Sequence, residues 1–276
     1  MFRRRHSRAV TALVLGALAV YVLAPVFVVL EYAFAEKWFP SHWWFPQELG
    51  WKWFREMFTV GNIMVTIGLS YWIAFWVTMS TLVICVLAGY AMGSRAFRQQ
   101  SGAATRFMEA FVNIPLAFPA IALGIGLLPV FAQLGLLKSV AGIVLAHMVT
   151  AVPYALRSIV GAFLLVPPEL EEAARNLGAG RFYTLRRVHL PLVWPGIVGG
   201  AVFAFTWSLN EFVLTLLLGY PTVETIPVRI YHYIGGYYLS PNSAAALSLF
   251  LLLPTLVFMY LTEKALKAGG VVSVGG

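Results

Sequence analysis

Six apolar stretches, at about residues 9–30, 65–92, 113–134, 140–166, 192–218 and 245–266, recur along this chain and restrict its fold more than any single residue does. A helix rises about 1.5 Å per residue, so about 20 apolar residues cross a hydrocarbon layer about 30 Å thick. Inside that layer each backbone N–H and C=O must be satisfied by the protein itself, and continuous apolar runs of this length achieve it as helices. Only 11% of the residues are charged and 60% are hydrophobic, whereas a soluble domain carries about a quarter charged. The expected fold is all-α and polytopic, with six transmembrane helices.

The polar segments between the runs set the orientation. Arg3, Arg4, Arg5 and Arg8 precede the first run, and Arg95, Arg98 and Arg106 follow the second. Arg175, Arg181, Arg186 and Arg187 lie between the fourth and fifth, and Lys264 and Lys267 close the sixth. Thirteen basic residues thus fall on one side and five on the other, with Arg157 inside a run; the basic side is the cytoplasmic one. Both termini are then expected in the cytoplasm, and the formal charge of +8 reflects topology, not a nucleic-acid surface. Ala33-Phe34-Ala35 resembles a cleavage site, but the first run exceeds the roughly 7 to 15 residues of a signal core and is expected to remain as a span.

Residues 1–64 are expected to hold the first span and an external segment in which Trp38, Trp43, Trp44, Trp51 and Trp53 are mixed with charges. Such a mixture suits the headgroup zone of membrane lipids, with residues 49–58 as an amphipathic surface helix; contact with an external partner is the alternative. Residues 65–276 form the expected core. Cys85 reads as a small buried hydrophobe. The third run carries Pro115, Pro119, Pro129, Gly124 and Gly126, the texture of a broken helix facing the bundle interior. The fourth is expected to kink at Pro153, with His147 in packing and Arg157 paired to carbonyls or a neighbouring acid.

The polar passage 167–191 reads as helix, glycine elbow, helix. Pro168 can open a helix because its missing N–H needs no partner there, and Glu169, Glu171 and Glu172 suit the first turn. Gly178 supplies the elbow, and a basic piece from Arg181 to Arg187 is expected to stop at Pro191. Glu172-Ala173-Ala174, then Gly178, then Val188-His189-Leu190-Pro191 resemble the EAA loop of membrane subunits of binding-protein-dependent ABC importers, with Val188 where that family usually has isoleucine. The resemblance implies a type I ABC importer permease fold in the bacterial inner membrane. It also implies that the loop docks on a separate ATPase through Glu169, Glu171, Glu172, Ala173, Ala174, Gly178, Arg181, Arg186, Arg187, Leu190 and Pro191, with His189 as a spacer. The implied partners are a second homologous permease in a heterodimer, two ATPase subunits that bind ATP and Mg, and a periplasmic or lipid-anchored solute-binding protein.

No catalytic or metal site and no cofactor are expected on this chain. It contains no aspartate, no G-x-x-x-x-G-K-[ST] phosphate loop, no His/Cys metal spacing and no arguable Ser-His-acid set. Glu211 lies about seven residues from the outer end of the fifth run, about 10 Å deep. It is either part of a solute pathway, with Asn210, Trp207 and Ser208, or a structural carboxylate. The segment from Phe205 to Ile230, with Glu224-Thr225-Ile226-Pro227, is most similar to the second permease of spermidine/putrescine-type importers, which suggests a polyamine or related organic cation. Related branches carry opines, aminophosphonates, ferric iron, thiamine or sulfate. An ion-coupled transporter using Glu211 and Arg157, or a membrane scaffold, are the readings from other classes.

Overall fold

A computed structural model describes residues 2–38, 45–59, 62–93, 110–235 and 239–268. Trp43, Trp44, Arg95, Arg98, Arg106, Glu109, Tyr237 and Tyr238 lie outside these. The elements in order are α1 (Phe2–Phe34), β1 (Ala35–Lys37), β2 (Glu48–Leu49), α2 (Lys52–Thr59), α3 (Ile63–Gly93), α4 (Ala110–Ala117), α5 (Ala120–Gln133), α6 (Val140–Leu164), α7 (Pro168–Asn176), α8 (Arg181–Asn210), α9 (Val213–Leu218), α10 (Ile226–Gly235) and α11 (Pro241–Ala268). Five helices are long and apolar enough to span a bilayer, within α1, α3, α6, α8 and α11; the α4–α5 pair, bent by 106°, makes a sixth crossing if counted as one span.

The chain divides into two compact units. The first combines Met1–Met64 with Arg229–Phe250. Its apolar α1 has no buried residue along its most hydrophobic window. Beyond α1 the chain turns through a short antiparallel hairpin, β1 with β2, the only strands among the described residues. Indole Nε1 of Trp53 donates to the Ala35 carbonyl at 2.6 Å, and Asn242 Nδ2 donates to the Tyr32 and Ala35 carbonyls at 2.9 and 3.1 Å. Trp53 is therefore partly structural. The expected surface helix at 49–58 begins later, at Lys52, because Glu48 and Leu49 belong to the hairpin.

The second unit holds Val65–Val228 and Leu251–Gly276. Its spine is α6, which supplies both apolar clusters. Ile143, Ala146 and Ala151 pack with Ile73, Val77, Phe131, Leu214 and Leu218. Further along, Ala155, Ile159 and Phe163 pack with Cys85, Val166, Val193 and Ile197. Pro153 is buried within α6, which continues through it to Leu164, so the expected kink does not end the helix. Cys85 is fully buried, its Sγ 3.7 Å from the Val152 carbonyl, as a small hydrophobe should be.

Helices α6 and α8 meet through small residues. A Cβ placed on Gly200 would lie 3.1 Å from Ile159 and 3.4 Å from the Ala155 carbonyl, and one on Gly196 would overlap Ala162. Ser158 Oγ donates to the Gly196 carbonyl at 3.0 Å. Apolar burial cannot drive association against lipid tails, so backbones brought this close by Gly196-x-x-x-Gly200 supply the contact through dispersion and hydrogen bonding.

Two spans are broken. The third bends between Ala117 and Ala120, where Phe118 and Pro119 interrupt the ladder, in keeping with its proline content. The fifth breaks too, at Glu211 and Phe212, and here the expectation of one helix over 192–218 is corrected. The basic piece after Gly178 also does not stop at Pro191. Arg181–Asn210 is one helix, and a π turn at Leu185–His189, closed by the Leu190 N–H on the Leu185 carbonyl, precedes the proline. A wider turn there relieves the clash a proline ring makes with the carbonyl four residues back, and the missing N–H falls where the ladder is already out of register.

Candidate functional site

The 167–191 passage folds as a helix, an elbow and a second helix. Pro168 opens α7, with Glu169 and Glu171 in its first turn. Its C-terminus closes by the αL-glycine motif: Gly178 has φ +80°, its N–H donates to the Arg175 carbonyl at 2.9 Å, and the Ala179 N–H donates to Ala174 at 3.0 Å. A glycine is required because an L side chain is disfavoured at that φ. The elbow rests on two residues of the spans. Tyr90 Oη donates to the Arg181 carbonyl at 3.4 Å, and the rings of Tyr90 and Phe163 flank buried His189 at centroid distances of 5.2 and 5.8 Å. His189 is thus a packing residue, in keeping with a spacer.

Above this base lies a groove of about 650 Å³ lined by Leu170, Ala174, Leu177, Gly178, Tyr183 and Arg187. Leu177 on its wall is 88% exposed, and Phe182, which precedes the lining residue Tyr183, is 74% exposed. Among the residues expected here, Glu169, Glu172, Ala173, Gly178, Arg181, Arg186, Arg187 and Pro191 are exposed, while Ala174 and Leu190 are half-buried. Glu171 is buried, and one Oε accepts from Arg175 Nη2 at 2.8 Å, one turn along, a pair that braces α7. Sequence reasoning overlooked Leu170, Leu177, Phe182 and Tyr183, whose signal was four large apolar side chains inside a passage otherwise made of charges.

A second polar cluster surrounds the break in the fifth span. Glu211 is 8% exposed, and its Oε1 accepts from the Leu214 N–H at 3.1 Å, capping α9 where the backbone ladder is interrupted. His147 bridges the break: Nδ1 is 2.9 Å from Ser208 Oγ on α8 and Nε2 is 2.9 Å from Thr215 Oγ1 on α9. Trp207 Nε1 donates to Thr150 Oγ1 at 2.9 Å, and Asn210, the exposed member, turns back on the Thr206 carbonyl at 2.8 Å. Of the four residues expected along a solute path, Glu211, Ser208 and Trp207 are therefore engaged in holding the broken helix. Arg157 Nη2 donates to Asn113 Oδ1 at 2.8 Å, its hydrogen bond among the described residues.

His147→Ala would leave the Ser208 and Thr215 hydroxyls facing an empty, fully buried site. The expected loss is about 2 kcal/mol of stability, above the average for hydrogen bonds in membranes because two partners are orphaned at once. A lowered thermal or denaturant midpoint of the purified protein checks it.

Residues 85–265 match the model of a family described as the binding-protein-dependent transport system inner membrane component. The chain belongs to that family. A putative ABC transporter permease of Streptomyces antibioticus is 38% identical over 194 residues, 70% of this permease and 84% of that one. The molybdenum transport system permease of Mycobacterium tuberculosis is 34% identical over 187 residues, 62% and 69% of the two chains. The spermidine/putrescine transport system permease of Escherichia coli K12 is 24% identical over 215 residues, 78% of each. In fold, the permease matches a chain of a solved bacterial alginate ABC transporter, in complex with an alginate-bound periplasmic protein, with a TM-score of 0.69 at 16% identity, covering 99% of this chain and 98% of that one. It is a multi-pass membrane permease of an ABC importer.

Proposed function

We infer that the permease is driven by a separate ATPase that seats on the 167–191 elbow. The observation that carries this is the groove beside Gly178, with exposed Leu177 on its wall and exposed Phe182 next to its Tyr183, on a segment that joins two spans. Large apolar side chains at such exposure mark a partner surface. Arg181, Arg186 and Arg187 surround it with positive charge suited to acidic groups on that partner, and Glu169, Glu172, Ala173, Ala174, Leu190 and Pro191 shape the docked face. ATP and Mg would be bound by two such ATPases, with a second homologous permease completing a heterodimer and an external binding protein delivering solute. Both termini and the elbow would lie in the cytoplasm, and this chain would hydrolyse nothing.

For the solute, relatives named for molybdenum and for spermidine/putrescine point in opposite directions of charge. The polyamine expectation leaned on Glu211, whose Oε1 is committed to a backbone N–H. That removes the residue-level reason to prefer a cation.

Cysteines placed at Ala174 or Ala179 are expected to crosslink to a nucleotide-binding subunit in membranes, with a yield that changes on adding ATP. No crosslink, or labelling of these cysteines from outside the cell, would overturn the docking role.

A further inference from the structure

We propose that the π turn at Leu185–His189 is a positioning element, and that what it positions is Phe182, held outward as an anchor for the ATPase. This deepens the importer reading above and rests on it. The buried face of α8 runs through His189, Val193, Ile197, Gly200 and Ala204, each three or four residues from the next, as one side of an α-helix requires. The next buried residue toward the elbow, Thr184, stands five residues before His189. Five residues of an α-helix amount to about 500°, so Thr184 would point about 140° away from His189. Phe182, seven residues before His189, would share its face instead, about two turns along. The structure has the two the other way round: Thr184 is 2% exposed and Phe182 74%. The π turn makes the difference, because it takes up one residue more than an α turn and lets a step of five act as a step of four.

The turn is held by what surrounds it. His189 packs between Tyr90 and Phe163, and Thr184 Oγ1 donates back to the Gly180 carbonyl at 3.1 Å, so the small inner residue keeps its hydroxyl bonded. A π turn is a rarer winding than the α-helix on either side of it, and such turns gather at functional sites, where neighbouring contacts hold them. Relief of Pro191 does not by itself demand one, since α8 passes Pro195 as plain α-helix. What the extra residue does bring is an outward aromatic ring, next to Tyr183 on the groove wall. Rings of this kind carry much of the energy of a protein contact once a partner pocket encloses them. Arg181 precedes Phe182 and Arg186 follows it by one turn, both exposed, so the partner surface it fits is an apolar pocket bordered by carboxylates.

The test uses the full chain expressed with its second permease, ATPases and binding protein. Phe182→Ser is expected to lower ATPase copurification and ATP-driven uptake by about tenfold or more at a normal membrane level, with Phe182→Leu retaining part of both. Two changes of length then separate the anchor from the turn that aims it. Deleting Val188 leaves Thr184 four residues before His189, so a plain α turn restores the same facing. In permeabilised membranes made without the ATPase, Phe182→Cys should still react with a water-soluble maleimide in that background and Thr184→Cys should not, and the coexpressed ATPase should still copurify. Inserting one alanine after Val188 leaves a step of six, of which the π turn absorbs one. Phe182 then turns inward and Thr184 outward, the labelling pattern inverts, and copurification falls by about tenfold or more. If the insertion fails to accumulate, the deletion and Phe182→Ser decide alone. Wild-type copurification and uptake in Phe182→Ser, which would leave Phe182 a bilayer contact, would overturn the proposal. So would loss of the ATPase from the deletion, or native labelling and copurification in the insertion. A wild-type chain that copurifies with no ATPase would remove the importer reading itself, a result distinct from these.

Discussion

Gly178→Glu is expected to reach the membrane at the wild-type level and yet to lose about tenfold or more of ATP-driven uptake. Two terms act together. The residue sits at φ +80°, where an L side chain costs about 1–2 kcal/mol, enough to loosen the elbow without unfolding six spans. No atom lies within 4 Å of a Cβ built there, so a glutamate has room and projects over the groove. A carboxylate trapped in a docked, largely apolar contact is penalised by desolvation as well as by lost fit. Gly178→Ala separates the two terms, keeping the backbone strain and removing the charge, and should retain most of the activity. Uptake and ATPase copurification, measured side by side, decide it; normal values of both in Gly178→Glu would remove the elbow from the mechanism.

Gly196→Val should have the largest effect on the folded protein. The added atoms overlap Ala162, and the Ser158 carbonyl stands 3.0 Å from the new Cβ. Neither neighbour can move away, since one is a helix backbone and the other has no rotamer to change. The two helices must separate, at a cost of about 3 kcal/mol, the upper end for overpacking, and the Ser158 hydrogen bond to Gly196 is lost with them. Thermal unfolding of the purified protein, and its steady-state level in membranes, report the loss. Gly126→Ala is the control: nothing lies within 4 Å of its Cβ, and the change should be neutral or stabilise by less than about 1 kcal/mol. Equal midpoints for the two variants would mean that the close approach of α6 and α8 contributes little.

The spans were legible because hydropathy is imposed by the solvent and needs no tertiary information. The third was legible even as a broken one, since Pro115 and Pro119 stand close together at its start, where the bend falls. The break at Glu211 was not, because no proline or glycine marks it; a carboxylate three residues ahead of Leu214 reads equally well as a helix interior residue or as a cap. Pro191 misled for the opposite reason. Its local preference to end a helix is overridden by the π turn at Leu185–His189, which becomes visible only once the carbonyl partners are known. In the elbow the backbone was readable from Pro168 and Gly178, but the inward face was not. Glu171 and Arg175 stand four residues apart, the spacing of an intrahelical pair, yet charge alone does not say which carboxylate is buried.

The continuous helix from Arg181 to Asn210 carries one more implication. Its tightest lateral constraint, at Gly196, stands fifteen residues from the elbow end and fourteen from Asn210, before the break at Glu211, about 22 and 21 Å. A rod constrained near its midpoint behaves as a balanced lever. Displacement imposed at one tip returns at the other with nearly equal size and opposite sense, so opening toward one face of the membrane is geometrically tied to narrowing toward the other.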